Sequence, residues 1–279
     1  MMIKTGARAV TPKVETPPVV VSKPKVARPA PTAPDPFDSP SYADMPKYVP
    51  PARKSELLLF EDLEQGSPEW LDARAGIVTA SVVHLLLTAA LKVADNKTSQ
   101  GLTATLAAER ITGHVEPMAT SRDMERGTLD EPYARDEYSK RHAPAVELGF
   151  MVRDFGAYKI GYSPDGLVGD NGLIEIKSRK QRIQLGTFID DDVPAENLAQ
   201  IQTGLLVSGR EWLDYVSYSG GMPLYVKRVY PSNAWFDVIH QAAAALEVNA
   251  ADMLDKYLAA TEGNPPTERI DHWEEQEIF

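Results

Sequence analysis

Gly161-Tyr-Ser-Pro-Asp-Gly-Leu-Val-Gly-Asp-Asn-Gly-Leu-Ile-Glu-Ile-Lys177 reads as a hairpin. It holds a turn at Ser163–Gly166, a Gly-Asp-Asn-Gly turn at 169–172, and a short apolar strand, Leu173–Ser178. Side chains alternate along a strand, so Leu173, Glu175 and Lys177 share one face. Asp165, at the other end of the hairpin, can come close to Glu175. An aspartate, a glutamate and a lysine gathered on one side of a sheet suit a divalent metal. Two carboxylates hold the ion, and the lysine positions or polarises the attacking water or a phosphate. A surface hairpin with an ordinary exposed Glu175–Lys177 ion pair accounts for Glu-x-Lys on its own. The Ser-Pro-Asp-Gly upstream of it favours the metal site.

The rest of the chain bounds the reading. Its 279 residues, 43% apolar and 25% charged, are those of a soluble globular protein with one large domain or two small ones. With no cysteine there are no disulfides, no thiolate zinc sites and no thiolate-held iron–sulfur clusters. No apolar run has the length of a membrane span, and Met1–Gly6 lacks a secretory h-region, so a cytoplasmic protein without a membrane partner is expected. The net charge of −11 speaks against nucleic acid at face value. Carboxylates of a metal site count as negative until the metal binds, however. Nine Asp/Glu against two Lys/Arg also crowd the stretch from Glu247 to Phe279. The charge leaves the question open.

Residues 1–54 are Pro- and Ala-rich without helical or strand period, and are expected to be a disordered or extended arm. The folded domain is expected over 55–262, followed by an acidic tail, 263–279. Leu57–Phe60 reads as a strand or edge element. Ser67-Pro68 starts a helix that Gly76 breaks, and Thr79 or Ser81 caps a second helix over Val82–Leu91. Free N–H groups at such a helix start, with Arg74 nearby, make a phosphate pocket; the plainer readings are a cap and a surface arginine. Helices are expected over 99–113 and around Met124–Tyr138, where Gly127 would let another backbone approach and Pro132 suggests a break, a kink or a helix start. Strands are expected over 145–152 and 157–162, with Phe150 and Tyr162 as core. Arg179, Lys180 and Arg182 form a basic cluster after Lys177, suited to a phosphate backbone or to a solvated loop. Pro194 begins a helix with Gln200 at its middle, Trp212–Ser217 and Leu224–Val229 are strands, and a last amphipathic helix runs from Asn233 to Ala260.

Two motifs then carry a resemblance. Ser-Pro-Asp165-Gly with Glu175-Ile-Lys177 is similar to the Pro-Asp…(Asp/Glu)-x-Lys signature of the restriction-endonuclease-like nucleases. Gln65-Gly-Ser-x-Glu-Trp-x-x-x-Arg74-x-Gly-x-x-Thr-Ala-Ser81 resembles the opening motif of the phage lambda-type exonucleases, the YqaJ-like viral recombinases. The likeness spans roughly Leu63 to Tyr230, and the Pro-rich arm has no counterpart in it. It implies an α/β fold with a central mixed sheet flanked by helices. It implies that Arg74 and Ser81 grip a terminal 5′-phosphate, and that Asp165 and Glu175, with Glu131 and the Ile176 carbonyl, bind Mg²⁺, for which Mn²⁺ substitutes. On the same resemblance Lys177 would orient the water or stabilise the phosphorane charge, and Gln200 would support the arrangement; with two metals, one would activate water and the other stabilise the leaving oxygen. The implied activity is hydrolysis of one strand of linear double-stranded DNA from its 5′ end. It would leave 3′ overhangs for phage-type recombination, carried out by a homotrimer beside a single-strand annealing protein in a bacterial host's cytoplasm. A structure-specific endonuclease of the same fold and a non-catalytic DNA-end-binding protein are the alternatives.

Overall fold

Two mixed sheets flanked by helices make up the described part of the chain. The computed structural model describes residues 55–116 and 120–270. The expected arm over 1–54 and the tail beyond 270 lie outside the described residues. In chain order the strands are β1 (Glu56–Phe60), β2 (Val78–Thr79), β3 (Ala145–Val146), β4 (Phe150–Asp154), β5 (Lys159–Tyr162), β6 (Gly166–Val168), β7 (Gly172–Ser178), β8 (Trp212–Tyr218) and β9 (Tyr225–Val229). The helices are α1 (Pro68–Arg74), α2 (Lys97–Thr112), α3 (Arg122–Arg141), α4 (Gln181–Asp190), α5 (Ala195–Ser208) and α6 (Asn233–Ala260). Among the described residues no helix is long and apolar enough to cross a membrane.

The hydrogen bonding of the expected mixed sheet is divided between a four-stranded sheet, β1-β4-β5-β2, and a five-stranded one, β3-β6-β7-β8-β9. The chain passes from the first to the second through Ser163-Pro164-Asp165, between β5 and β6. Gly166 and Val168 pair with Ile174 and Gly172, which is the predicted hairpin. β7 and β8 are parallel, so a crossover must join them, and α4 and α5 supply it. The alternation of β7 sorts its side chains onto two layers. Leu173 joins the main core with Tyr162, Ile201, Leu205 and Tyr215, while Ile174 and Ile176 pack under Ala134 and Tyr138 of α3. Glu175 therefore faces the main core.

Several expectations are corrected. The helix expected over Val82–Leu91 is only a 3₁₀ turn, Val83–Leu86, after which Leu87 bridges back to Val93 and Leu91 takes a positive φ of 51°. Neither Thr79 nor Ser81 caps it; its N-cap is Val82, with no side-chain bond. The run over 145–152 is split into β3 and β4. A Cβ at Gly149 would lie 2.2 Å from the Leu63 carbonyl oxygen, so here the chain passes tightly under the loop after β1. Pro132 neither breaks nor starts a helix, since α3 runs continuously through it. Thr128, whose carbonyl loses the N–H that Pro132 lacks, is exposed and open to water.

The helix α4 was not expected. It is inverted: Gln184 and Thr187 are its buried residues, while Leu185 and Ile189 are exposed. Gln184 takes the inward place through hydrogen bonds. Its Nε2 donates to the Ser217 and Pro223 carbonyls at 3.0 Å, and its Oε1 accepts from Ser217 Oγ at 2.5 Å.

Candidate active site

β6 stops pairing at Gly166, opposite Ile174, and β7 runs on past it. Ile176 thus has no β6 partner, and a carboxylate takes the place of the missing strand: Asp165 Oδ2 accepts the Ile176 N–H at 2.5 Å. The N–H and C=O of a strand residue share one edge, so the Ile176 carbonyl faces the same gap.

Next along β7, Glu175 is 1% exposed and three donors converge on it. Lys177 Nζ at 2.7 Å and Gln200 Nε2 at 2.6 Å reach Oε1, and Tyr162 Oη at 3.1 Å reaches Oε2. Lys177 arrives by the period of the strand, Gln200 from α5 and Tyr162 from the end of β5. Tyr162 reaches Glu175 because α5 has no side chain at Gly204, where a Cβ would lie 2.7 Å from the ring.

Glu131 enters from α3. Its Oε1 accepts from Arg135 Nη2, one turn on, while Arg135 Nε donates to the Asp165 carbonyl at 2.7 Å. Arg135 Nη1 pairs with Glu147 at 2.8 Å. One guanidinium therefore ties two candidate ligands together.

The charges strain against one another. Burial holds Asp165 well above the usual carboxylate range, and the charges of Glu175 and Glu131 push it the same way; Lys177 and the Ile176 N–H oppose them. Burial also raises Glu131, against the pull of Arg135. For Lys177 burial favours the neutral amine, but the charges of Glu175 and Asp165 outweigh it and hold the ammonium above its ordinary pKa. Among the described residues no three His, Asp or Glu already stand as an ion's ligand shell. Their oxygens are engaged by Arg135, Ile176, Lys177, Tyr162 and Gln200.

The same cavity, of about 470 Å³, is lined on its other side by Arg74, Thr79 and Ser81. The Arg74 guanidinium lies 4.4 Å from the centre of the Trp70 ring and 3.5 Å from Thr79 Oγ1, which is 3.2 Å from Ser81 Oγ. Trp70 Nε1 donates to Ser163 Oγ at 3.0 Å, joining this wall to the loop before Asp165. An arginine and two hydroxyls free of capping duty can receive an anion.

Every expected acid, Lys177, Gln200, Ile176, Arg74 and Ser81 line this cavity; Arg179, Lys180 and Arg182 do not. Arg179 turns to α5 and β8, donating to Asn197 Oδ1 at 2.6 Å and Tyr215 Oη at 3.3 Å, and its Nε is buried without a partner among the described residues. Lys180 pairs with Asp123 at 2.8 Å, and Arg182 is exposed in the first turn of α4. Sequence reasoning missed Tyr162, Arg135, Thr79 and Trp70 as members of the site. Arg135 left a signal in its one-turn spacing from Glu131, and Trp70 and Thr79 in their places within the Gln65–Ser81 motif.

The family model of the YqaJ-like viral recombinase domain matches residues 69–211. Among solved structures, the chain is similar to an alkaline exonuclease from Laribacter hongkongensis: 31% identity over 70% of this chain and 98% of that one, with a TM-score of 0.62. The same enzyme in complex with dAMP gives the same 31% identity, the same coverage and a TM-score of 0.62. A phage-related exonuclease from Haemophilus somnus, 11% identical over 65% of this chain and 96% of that one, shares the fold at a TM-score of 0.50. No curated protein matches the chain.

Proposed function

The chain belongs to the YqaJ-like viral recombinase family, and we propose that it is a metal-dependent exonuclease that digests one strand of linear duplex DNA from the 5′ end. The observation that carries this reading is one cavity lined by Asp165, Glu175, Glu131 and Lys177 on one side and by Arg74 and Ser81 on the other. Acids for a cation and a basic, hydroxyl-lined wall for a terminal phosphate stand together. The likeness to an alkaline exonuclease supports the same reaction class.

The donor set suits a divalent cation. Three carboxylates whose like charges repel one another stand beside Lys177 and, with a strand carbonyl facing the gap, offer an all-oxygen set of the kind hard cations take. Asp165, Glu175, Glu131 and the Ile176 carbonyl would hold Mg²⁺, or Mn²⁺ in its place. The ion supplies Lewis-acid stabilisation of the phosphoryl oxygens and a water of lowered pKa. The chain's own residues do the rest. Lys177, kept protonated, places a positive charge where the phosphorane develops its negative charge. Gln200 and Tyr162 hold the Glu175 carboxylate in one orientation. Arg74, Thr79 and Ser81 receive the terminal phosphate and so set which bond lies over the acids. A homotrimer, an annealing-protein partner and a role in phage-type recombination in a bacterial cytoplasm follow from the same reading.

Digestion of linear against closed circular duplex DNA, in Mg²⁺ and in EDTA, with label at either the 5′ or the 3′ terminus, tests it. Metal-dependent loss of the linear substrate alone, beginning at the 5′ label, is expected. Cleavage of the circle would make the protein an endonuclease, and binding without cleavage an end-binding protein.

A further inference from the structure

Asp123, at the rim of the cavity, lies between two cations: Arg126 Nη1 at 2.7 Å and Lys180 Nζ at 2.8 Å. Asp123 and Arg126 come from the start of α3, the helix that carries Glu131; Lys180 is the N-cap of α4, three residues after Lys177. Arg126 is braced from behind. Its Nε donates to Ser178 Oγ at 3.0 Å, and Ser178 Oγ donates to Asp130 Oδ2 at 2.6 Å. Its Nη2 has no partner among the described residues, so the guanidinium is aimed but not saturated.

Between this cluster and Glu131 the helix is bare. Gly127 lines the cavity, and a Cβ built there would meet no heavy atom within 4 Å. Glycine in mid-helix is less stable than alanine, and no part of the described chain fills the space it leaves. The packing of this protein does not call for a glycine there. A ligand does.

We propose that Arg126 and Lys180 form a site for a DNA backbone phosphate at the rim of the cavity, that the Asp123 carboxylate stands in for the phosphate until DNA arrives, and that the strand crosses the bare face of Gly127. The inference rests on the nuclease reading above. A carboxylate offers Arg and Lys the same kind of anionic oxygen as a phosphodiester. The side chains of Lys180 and Asp123 are 65% and 56% exposed, so their pairing is weak and exchangeable. The arrangement also locates positive charge that the net −11 conceals: Arg74 and Lys177 are otherwise the cations facing four carboxylates in the cavity.

The test is equilibrium binding of labelled linear duplex DNA in EDTA across a salt series, with thermal unfolding as the check on folding. Asp123→Asn leaves one more cation uncompensated, so it binds several-fold tighter, with a salt slope steeper by about one. Arg126→Ala and Lys180→Ala each bind more weakly, with a slope shallower by about one. Gly127→Ala raises both the unfolding temperature and the KM for DNA cleavage, whereas Gly101→Ala, an equally open glycine in α2, raises the unfolding temperature alone. Asp123→Asn binding no tighter than the unsubstituted chain, while that chain still cleaves linear DNA, would overturn the phosphate site alone. An unchanged KM in Gly127→Ala would overturn the strand path. An unsubstituted chain that neither binds nor cleaves linear DNA would overturn the nuclease reading and this site with it.

Discussion

Asp165 Oδ2 accepts the main-chain N–H of Ile176 at 2.5 Å, which fastens one acid of the site to the backbone of the strand that bears the other. The bond exists because β6 begins only at Gly166, one residue after Asp165, whereas β7 runs on past Ile174, the partner of Gly166. The place where one strand runs out is therefore the place where a carboxylate and a main-chain carbonyl stand together. Asparagine at this position retains an oxygen to accept the same N–H, so Asp165→Asn removes charge while leaving the junction between the sheets intact.

Tyr162→Phe removes a buried donor from Glu175 Oε2. The loss is about 1.5–3 kcal/mol of stability, the range for a hydrogen bond to a charged group, measured by chemical denaturation of the metal-free protein. Gly204→Ala acts on the same contact from the other side, with a Cβ 2.7 Å from the Tyr162 ring. It destabilises by about 1–3 kcal/mol through overpacking, although alanine is the better helix former by about 1 kcal/mol.

Arg135 bonds the Glu131 carboxylate and the Asp165 carbonyl at once. Removing such a support weakens metal binding by about 10- to 100-fold. Arg135→Gln is expected to raise the Mn²⁺ dissociation constant by that factor in calorimetry. Arg135→Lys keeps the charge but not the fork, and is expected to fall closer to Arg135→Gln than to the unsubstituted chain. Full rescue by lysine would mean that charge, not geometry, is what Arg135 provides.

Asp165 and Glu131 both have raised pKa values in the fold, chiefly through burial. Between the ordinary carboxylate range and these raised values the folded metal-free protein holds more protons than the unfolded chain. Its stability therefore falls as pH rises through that window. A bound cation requires both acids ionised and displaces their protons, so metal affinity rises with pH through the same window. Thermal unfolding with and without Mg²⁺ at acid and neutral pH is expected to show a gap that widens as pH rises. A gap independent of pH would contradict the assignment of these acids.

Arg74 meets the cavity beside Thr79 and Ser81. Arg74→Ala is expected to cost about 10- to 100-fold on 5′-phosphorylated ends and little on 5′-hydroxyl ends, as measured by initial rates on the two substrates. Equal losses on both would assign Arg74 a purely structural role through its contact with Trp70.

Much of this site was legible before the structure because its parts follow local rules. Glu175 and Lys177 share a face by the two-residue period, and the turn at 169–172 returns the chain to Asp165. Gln200, on the second helix after Lys177, was placed in the site by the family resemblance, and its amide does reach Glu175. What could not be read depends on contacts between distant elements. Tyr162 looked like core and is core, yet its hydroxyl serves Glu175 across the junction of the two sheets. Arg179 looked like a phosphate ligand, but Asn197 and Tyr215 engage it. The helix α4 escaped because its inward side chains, Gln184 and Thr187, are polar and its outward ones apolar, the reverse of the pattern that marks a helix face. The expected helix over Val82–Leu91 failed for a related reason: its apolar residues serve a tight 3₁₀ turn and a bridge rather than one continuous face.

The most direct measurement is cleavage of 5′-phosphorylated linear duplex DNA in Mg²⁺ by Asp165→Asn beside the unsubstituted chain, with both shown to be folded by thermal unfolding. A rate lower by about 10³-fold or more, equivalent to about 4 kcal/mol of transition-state stabilisation, is the predicted result. Cleavage by Asp165→Asn within a few-fold of the unsubstituted rate would contradict a metal site built on Asp165 and Glu175.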